Sequence, residues 1–427
     1  MNLVSGRLIP DDESRVQLEK LPELILDTHL KEPLSIDRVI EACDALSQML
    51  NPEDHLELLV NLGFPEEKAR RELSIVKLMM SRAYLENRLH AEFDSPFEGP
   101  FIPYGHDRIV RQAWQPLGTL FHIAAGNMDA LPVFSVIEGL LTGNINILKL
   151  PGTDGGLSII ILQQLISLYP KIADYVFVFD YPSTDLPAME RMAACADAIV
   201  VWGGDEAVGA VRKMAKPDTR IIEWGHKISF AYVSGRDSPD AELEGIAWNI
   251  CDTNQLLCNS CQGIYLDTDQ FDEVAGFAQR FLQILNAKAA AMPLREDPYL
   301  TAQKTLEIYT EELETSENGK RVFRAEHCSV IAEKDPTLHP SYMFRNCWVK
   351  PLPQKDLLAE LLKYKNHLQT VALVCEPSRK TGLETLFAKT GIVRITTGER
   401  MSSSYCGMPH DGEFPLRRYM KIVSYEN

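Results

Sequence analysis

The sequence has little positive charge, no long apolar run and no Gly-x-Gly-x-x-Gly after any predicted strand. Its 427 residues include 43 lysines and arginines against 60 aspartates and glutamates, which gives a net charge of −17. Because nucleic-acid binding needs a basic face, this balance argues against a nucleic-acid partner. The longest nearly uncharged run, residues 155–169, is too short to span a bilayer and contains two glutamines. The usual dinucleotide fingerprint is also absent.

Export signals and repeats are missing as well. The first thirteen residues contain no apolar core, so we do not expect a signal peptide. Nine cysteines form an odd count, and without an export signal they predict reduced thiols and a cytoplasmic location. No internal repeat or low-complexity segment is present. The length allows two or three domains with a large core.

The spacing of apolar residues predicts an α/β chain. Residues 1–95 carry apolar residues at helical spacing, which predicts a helical region that serves packing or an interface. Residues 94–104 hold three prolines and three aromatics, which predicts a connector without regular structure. From residue 115 short apolar strands alternate with helices, and a second such set begins at residue 229. This alternation is typical of parallel sheets covered on both faces, in a doubly wound fold of the nucleotide-binding type.

A cysteine in a short polar turn is the candidate nucleophile. Cys258 lies between an amphipathic helical pattern at 240–250 and a β-prone run at 263–266. Such a turn can expose a thiol while its neighbours are buried, and the thiolate needs nearby donors or positive potential. The alternative is a small buried hydrophobe. Cys258 and Cys261 also form Cys-x-x-Cys, but no second ligand pair stands at a standard zinc spacing, so no metal is predicted.

Polar residues near the ends of predicted strands are candidates for cofactor binding and catalysis. Asn127 follows the strand predicted at 117–124, and its amide could donate to a developing oxyanion. Lys149 ends the next strand and could hold a ribose or a phosphate. Glu223, near the end of a later strand, could act as a general base. The plainer interpretations are a turn asparagine, a solvated lysine and a surface glutamate.

A glycine-containing turn follows another predicted strand and opens a helix. It reads Trp202-Gly203-Gly204-Asp205-Glu206-Ala207-Val208-Gly209. Glycines at this place would let a phosphate or a ring approach the backbone, and the helix N-terminus favours negative charge. The alternative is a tight strand-to-helix turn without a ligand.

Taken in order, these stretches resemble the aldehyde dehydrogenase superfamily, and most closely its fatty-acid (acyl-CoA) reductase or LuxC-like branch. The supporting stretches are 116–132, 143–151, 202–209, 222–229, 255–265, 391–394 and 410–412. The resemblance covers about residues 100–425. It implies an aldehyde-dehydrogenase-like fold, with a Rossmann-type parallel-sheet cofactor domain and a second α/β catalytic domain. We therefore divide the chain into a helical N-terminal region, a nucleotide-binding domain, a catalytic thiol domain and a C-terminal segment, at 1–95, 96–226, 227–398 and 399–427.

The resemblance also implies roles for the candidate residues. Cys258 matches the nucleophile, and its backbone N–H would form an oxyanion hole with Asn127. Lys149 matches the ribose-binding lysine and Glu223 the glutamate base. The glycines of the turn at 202–209, namely Gly203, Gly204 and Gly209, would bind the cofactor.

Two positions depart from the pattern of the family and bear on the cofactor. Gly152 stands where a glutamate that grips both ribose hydroxyls is usual, and Asp205 stands where serine is usual. Without that glutamate there is room and no repulsion for a 2′-phosphate, which favours NADPH over NADH. Asp154 and Asp205 lie in the same loops, and either carboxylate could restore the repulsion.

The resemblance implies NAD(P)H-dependent reduction of a long-chain acyl thioester to an aldehyde, through an acyl group held on Cys258. The expected partners are an acyl-CoA or acyl-protein thioester, an acyl-activating synthetase and further copies of this chain in a homo-oligomer. Two alternatives remain open at this point. One is a hydrolytic aldehyde dehydrogenase that releases free acid, and the other is a non-catalytic scaffold subunit.

Overall fold

Strands and helices alternate along most of the chain, because short apolar runs are separated by longer amphipathic segments. The computed structural model describes residues 1–427 without 52, 54–55, 57–59, 61–65, 94–97, 105–107, 125–130, 153, 155, 236–238, 293–297 and 427. The chain divides into two units, Met1–Gly225 with Tyr405–Asn427, and His226–Ser404. The four segments expected from the sequence stay a prediction.

The first unit contains a mostly parallel sheet. The strands of the first unit, apart from one at the C-terminus, are β1 (Asn2–Val4), β2 (Arg7–Ile9), β3 (Glu98–Tyr104), β4 (Arg108–Pro116), β5 (Thr119–Ile123), β6 (Ile145–Lys149), β7 (Val176–Phe179), β8 (Ala198–Trp202) and β9 (Arg220–Trp224). All of these except β3 and β4 belong to the mostly parallel sheet. The sheet has the order β2-β1-β7-β6-β5-β8-β9, with parallel pairing from β7 to β9. The chain leaves β5 to one side for β6 and β7 and to the other for β8 and β9. The strand order therefore reverses between β5 and β8, which is where ligands bind in such sheets.

Helices accompany these strands. They are Asp11–Leu30, Ile36–Met49, Glu66–Met79, Arg82–Glu92, Leu131–Leu141, Leu157–Leu168, Leu186–Ala194 and Asp205–Met214, with a 3₁₀ turn at Pro170–Asp174. The helical spacing in the first 95 residues did not reveal β1 and β2, which pair with each other and extend the sheet beyond β7. Strands of three residues are too short to show an alternating pattern in sequence.

The second unit contains a sheet of its own. Its strands are β10 (Ile228–Ser234), β11 (Cys261–Leu266), β12 (Lys320–Arg324), β13 (Ser329–Glu333), β14 (Asn346–Pro351), β15 (Leu368–Cys375) and β16 (Arg394–Thr396). Their order is β12-β13-β14-β11-β10-β15-β16, and every pairing except that of β12 with β13 is parallel. The two parallel-rich sheets confirm the α/β class.

One helix of the second unit sets the position of the candidate nucleophile. The helices of this unit are Asp240–Thr253, Phe271–Ala291, Pro298–Asn318, Leu357–Leu361 and Pro377–Thr390, with 3₁₀ turns at Leu362–His367 and Gly398–Arg400. Helix Asp240–Thr253 buries Leu243, Ile246, Ala247 and Ile250, which share one face at helical spacing and join the core that includes the strands. This packing fixes the end of the helix from which the turn at 254–260 leaves. No described helix is long and apolar enough to cross a membrane.

The C-terminal residues return to the first unit and correct one expectation. After a short helix, Pro415–Arg418, strand β17 (Met420–Glu426) pairs with β4, which pairs with β3. The prediction of an irregular connector at 94–104 was therefore wrong for Glu98–Tyr104. Prolines are found in edge strands such as β3 because one side of the strand has no neighbour, so the N–H groups on that side make no ladder bond.

A buried charged cluster ties an N-terminal helix to this C-terminal segment. Arg88 forms an ion pair with Glu138, whose carboxylate also accepts a hydrogen bond from the Tyr419 hydroxyl at 3.0 Å. Glu92 accepts from the backbone N–H of Leu416 at 2.8 Å, and burial raises the pKa of Glu92 to about 7. These contacts give the helices before residue 95 a structural role within the first unit.

Candidate functional site

Cys258 lies on a strained turn that joins helix Asp240–Thr253 to strand β11. Asn254 and Gln255, the first two residues of the turn, are left-handed, with φ of +49° and +65°. For residues other than glycine this region costs about 1–3 kcal/mol when the surroundings must enforce it. The Cys258 side chain is partly exposed, whereas Ser260 and Cys261 are fully buried. The turn thus presents one thiol and must be held in shape by its surroundings.

Buried amides supply that support. The Gln255 side chain donates to the carbonyl oxygens of Cys261 and Gln262 at 3.2 and 3.3 Å and accepts from the Arg345 N–H at 3.1 Å. Gln262 in turn donates to the Gln255 carbonyl at 2.9 Å. Because both ends of Gln255 are bonded in a water-poor setting, the turn is fixed before any substrate arrives.

The cysteine itself is held from two neighbouring strands. The Gln369 amide Nε2 donates to the Cys258 sulfur at 3.3 Å. The Ser229 hydroxyl donates to the Cys258 carbonyl at 2.7 Å and accepts from the Thr370 N–H at 3.0 Å. Ser229 lies near the start of β10, and Gln369 and Thr370 lie near the start of β15. Cys258 therefore lies at the amino edge of the parallel strands.

Four buried polar atoms near this turn have no hydrogen-bond partner among the described residues. They are Asn249 Nδ2, Asn254 Oδ1, Asn259 Oδ1 and Thr370 Oγ1. Native structures leave few such atoms, and those that remain ask for an explanation, for example a ligand or an ordered water. Their concentration around Cys258 is what a binding site shows.

The neighbouring thiol differs from Cys258. Cys261 is buried, its sulfur donates to the Gly263 carbonyl at 3.3 Å, and burial raises the pKa of its thiol to about 12. A thiol with that pKa is almost wholly protonated near neutral pH and is a poor nucleophile. Over the described part of the chain no cluster of three or more histidine, cysteine, aspartate or glutamate side chains is arranged to hold a metal ion.

The other described candidates belong to the first unit and line the carboxyl edge of its sheet. Lys149 is the last residue of β6, Glu223 is the last but one of β9, and the glycine turn follows β8. Ligands of open α/β sheets bind at this edge, near the point where the strand order reverses. Asn127 lies in the segment 125–130, outside the described residues, so its oxyanion role stays a prediction.

Lys149 and the loop that follows it hold groups of opposite charge, a lysine amine and the Asp154 carboxylate. Lys149 is 7% exposed, and burial lowers the pKa of its amine although Asp180 opposes that shift. Asp154 accepts hydrogen bonds from the N–H groups of Gly156 and Ser158 at 3.2 and 3.3 Å and from the Ser158 hydroxyl. Its carboxylate is thus engaged at the start of helix Leu157–Leu168. A Cβ added at Gly152 would meet no atom within 4 Å.

The glycines of the turn at 202–209 differ in what they require. A Cβ at Gly203 would come within 3.0 Å of the Ala207 Cβ, so the tight turn itself accounts for that glycine. Cβ atoms at Gly204 and Gly209 would meet nothing within 4 Å. Contacts among the described residues therefore do not account for these two glycines. Asp205 is exposed in the first turn of the helix, where it adds negative charge.

Glu223 is already paired. Both of its carboxylate oxygens accept from Arg212 Nη2, at 2.7 and 2.9 Å, and the Glu223 side chain is 37% exposed. Arg212 lies on helix Asp205–Met214, which follows the glycine turn. A water molecule that approaches Glu223 would therefore compete with Arg212 for its oxygens.

One of the C-terminal stretches that resemble the family, residues 410–412, also lies at this edge of the first sheet. The His410 ring contacts Trp202 and Trp224 edge-on, with centroid separations of 5.1 and 4.8 Å. Trp202 and Trp224 end β8 and β9. The stretch 410–412 is thereby placed next to the glycine turn within the first unit.

Sequence reasoning missed the residues that hold the nucleophile. Ser229, Gln255 and Gln369 are polar side chains inside apolar or turn segments, with no spacing that marks them. The one available signal is that glutamine is unusual in a buried strand. Gln369 is the long polar side chain of an otherwise small or apolar strand, β15.

Comparisons with known proteins indicate the family to which the chain is similar. The family model for acyl-CoA reductase (LuxC) matches residues 32–422. The long-chain acyl-protein thioester reductase of Vibrio harveyi is 24% identical, over 99% of this chain and 92% of its own length. The enzyme of that name from Photorhabdus laumondii is 26% identical, over 94% of this chain and 84% of its own length.

Solved structures confirm the aldehyde-dehydrogenase-like fold. A 3,6-anhydro-L-galactose dehydrogenase superposes with a TM-score of 0.71 at 14% identity, covering 100% of this chain and 99% of that one. The glyceraldehyde-3-phosphate dehydrogenase GapN of Methanocaldococcus jannaschii, solved with NADP, gives a TM-score of 0.70 at 12% identity. It covers 100% of this chain and 98% of its own.

Proposed function

Because the chain belongs to the acyl-CoA reductase (LuxC) family, as its motifs predicted, we propose that it reduces a long-chain acyl thioester to an aldehyde through an acyl group on Cys258. The observation that carries the proposal is the Cys258 turn: a partly exposed thiol with an amide donor at 3.3 Å, on a loop fixed by buried glutamines. The names of the relatives support the substrate class.

The first half of the reaction transfers the acyl group. The Cys258 thiolate attacks the thioester carbonyl carbon, and the tetrahedral oxyanion that forms is stabilised by the Cys258 N–H and Asn127. The bond from carbon to the carrier sulfur then breaks, and the carrier leaves as a thiolate with that electron pair. The acyl group remains on Cys258, which divides one difficult transfer into two easier steps.

The second half reduces the bound acyl group. A bound nicotinamide cofactor supplies the hydride. Cys258 and Asn127 hold the acyl carbonyl in place while its oxygen again becomes an oxyanion. That oxyanion collapses, the bond to the Cys258 sulfur breaks, and the electron pair returns to the thiolate as the aldehyde leaves.

The carboxyl edge of the first sheet fits a nicotinamide cofactor, and we propose NADPH. Gly204 and Gly209 leave open space beside the backbone, and Lys149 ends a strand at the same edge. Gly152 brings neither bulk nor charge that would repel a 2′-phosphate. The Asp154 carboxylate keeps its charge, but the N–H groups of Gly156 and Ser158 that bind it partly offset that charge. Asp205 is the remaining opposing charge, and NADH is the alternative cofactor.

The hydrolytic aldehyde dehydrogenase is the less favoured reaction. It needs a base to activate water, and Glu223 would be that base. The ion pair with Arg212 engages both Glu223 oxygens. Transfer from a thioester releases a thiolate, which needs little help from a base, so the geometry fits the reductase better.

The physiological donor and the assembly belong to the proposal as well. The names of the relatives point to an acyl-protein thioester, which would place an acyl-activating synthetase beside this chain, and acyl-CoA is the simpler donor for assays. A homo-oligomer and a cytoplasmic location stay predictions.

A product assay tests the proposed reaction. The full chain is incubated with tetradecanoyl-CoA and NADPH, and aldehyde, free acid and CoA are measured separately. We expect one CoA released for each aldehyde formed. Free acid as the main product, and its loss in Glu223→Gln, would support the hydrolytic alternative instead. No aldehyde above that of Cys258→Ala would contradict the proposal.

A further inference from the structure

Gln369 lies where it can act on the reacting sulfur itself. Its amide Nε2 is 3.3 Å from the Cys258 Sγ, and Gln369 is 7% exposed. The residue is separated from Cys258 by 111 positions and reaches it only because β15 lies beside β10. An amide buried to this extent costs free energy unless it makes hydrogen bonds, so its placement against sulfur is specific.

The next residue of the same strand holds the other end of the cysteine. The Thr370 N–H donates to the Ser229 hydroxyl, which donates to the Cys258 carbonyl. The start of β15 thus fixes both the sulfur and the backbone of Cys258. Ser229 acts through the backbone and is a positioning residue, whereas Gln369 touches the atom that forms and breaks the covalent bond.

We propose that Gln369 is a catalytic residue that stabilises the Cys258 thiolate by donating an amide N–H to its sulfur, an inference that rests on Cys258 being the nucleophile. A neutral amide donor gains most when its acceptor is charged, because hydrogen bonds to ionised groups are stronger than those between neutral groups. The donor therefore favours the thiolate over the thiol.

The same contact serves two steps of the reaction. Before the attack it raises the fraction of Cys258 that is ionised. When the oxyanion formed by reduction collapses, the carbon–sulfur bond breaks and its electron pair returns to sulfur, and the Gln369 N–H stabilises that charge as the aldehyde leaves. No proton is transferred by Gln369 in either step, since an amide side chain makes hydrogen bonds but does not titrate near neutral pH.

Thiol titration tests the role without relying on turnover. In the full chain, the rate of alkylation of Cys258 by iodoacetamide is followed against pH by mass spectrometry of the Cys258 peptide. We expect Gln369→Leu to raise the midpoint by about 1 to 2 pH units, which is the strength of a hydrogen bond to a charged group. At a pH below both midpoints this slows alkylation by about tenfold to a hundredfold.

Two further variants separate the donor from the shape of the side chain. Gln369→Met keeps the length of the side chain but has neither an N–H donor nor a charge, so we expect the midpoint to rise as it does with leucine. It decides the question even if Gln369→Leu fails to fold. Gln354→Leu removes an exposed amide at the opposite edge of the same sheet, near the ends of β11 and β14, and we expect the wild-type midpoint.

The outcomes distinguish this inference from the proposed reaction. A wild-type midpoint in folded Gln369→Leu, or in Gln369→Met, would overturn the role of Gln369 while leaving Cys258 as nucleophile. A shifted midpoint together with slower acyl transfer from tetradecanoyl-CoA would support it. If Cys258→Ala still accepts an acyl group, the nucleophile assignment fails, and that result does not depend on any Gln369 variant.

Discussion

The two units contain sheets with the same parallel strand order, yet their candidate functional residues lie at opposite edges. The orders are β7-β6-β5-β8-β9 and β14-β11-β10-β15-β16. In each, the strand that comes first along the chain, β5 or β10, is central, and the later strands lie on either side of it. The first sheet carries Lys149, the glycine turn and Glu223 at its carboxyl edge. The second carries Cys258 at its amino edge. The carboxyl edge is the usual place for a ligand, so the second sheet is the exception.

The two sheets differ in one connection that occupies the same place in both units. It joins the first helix after the central strand to the next strand. In the first unit this connection is residues 142–144. The Asn144 side chain accepts a hydrogen bond from the Gly118 N–H and donates to the Thr142 hydroxyl and the Tyr419 carbonyl, so the connection is held by its own polar side chain. In the second unit it is residues 254–260, with two strained residues, a partly exposed thiol and nearby polar atoms that lack partners in the described structure.

A longer turn therefore makes the difference between a structural connection and a candidate site. The short turn satisfies its own polar groups and has no side chain to offer a substrate. The long turn depends on the side chain of its own Gln255 and on Gln262 and Gln369 from β11 and β15, which hold its strained backbone and its thiol in one arrangement.

Removing the thiol should have the largest effect. We expect Cys258→Ala to abolish aldehyde formation and to leave the fold intact, because no other group on the turn can carry the acyl chain. Cys261→Ala is the matched control, since that thiol is buried with a pKa of about 12. Aldehyde formation and circular dichroism check both variants. Activity kept in the first and lost in the second would move the nucleophile to Cys261.

Removing the predicted oxyanion donor should have the next largest effect. We expect Asn127→Ala to lower the rate of reduction by about a hundredfold to a thousandfold, as loss of one such donor does elsewhere. Cofactor binding should change little. Steady-state rates and cofactor titration measure the two. A loss below roughly threefold, far under that range, would make Asn127 a turn residue only.

Loosening the turn should have a smaller effect that tests the comparison directly. Gln255→Ala removes the amide that holds the strained turn, so we expect acyl transfer to slow by up to about a hundredfold, as a misplacement of about 1 Å can do. Each lost bond to a buried group should cost about 1–3 kcal/mol of unfolding free energy.

The equivalent change in the first unit is the control. Asn144→Ala should destabilise the protein to a similar extent and leave alkylation of Cys258 in the folded protein at the wild-type rate. Denaturant unfolding and thiol alkylation measure the two properties in both variants. Equal slowing of alkylation by both variants would mean that general loss of stability, rather than the shape of the long turn, controls the thiol.

The smallest effect concerns the carboxyl edge of the first sheet. We expect the wild type to prefer NADPH and Gly152→Glu to shift the preference toward NADH, because the new carboxylate would bind ribose hydroxyls and repel a 2′-phosphate. The measurement is kcat/KM for both cofactors at one ionic strength. A wild-type preference for NADH of about tenfold, or 1.4 kcal/mol, would contradict the argument and leave Asp205 as the residue that sets cofactor choice.

Local features were predictable from the sequence, and contacts between distant segments were not. The Cys258 turn, the glycine turn and the alternation of strands with helices all follow from short-range pattern. The Glu98–Tyr104 strand was missed because its prolines signal a break unless the strand is known to be an edge. Gln369 was missed because its contact with Cys258 spans 111 positions, and no local pattern encodes which strands become neighbours.

The most direct test of the account is the mass of the protein after incubation with tetradecanoyl-CoA in the absence of cofactor. Without a hydride source the reaction should stop at the acyl-enzyme, because the second half cannot proceed. We expect one tetradecanoyl group for each chain, located by peptide mapping on Cys258 and removed as the aldehyde when NADPH is added. An unmodified chain, or an acyl group on another residue that still gives aldehyde with NADPH, would contradict the account.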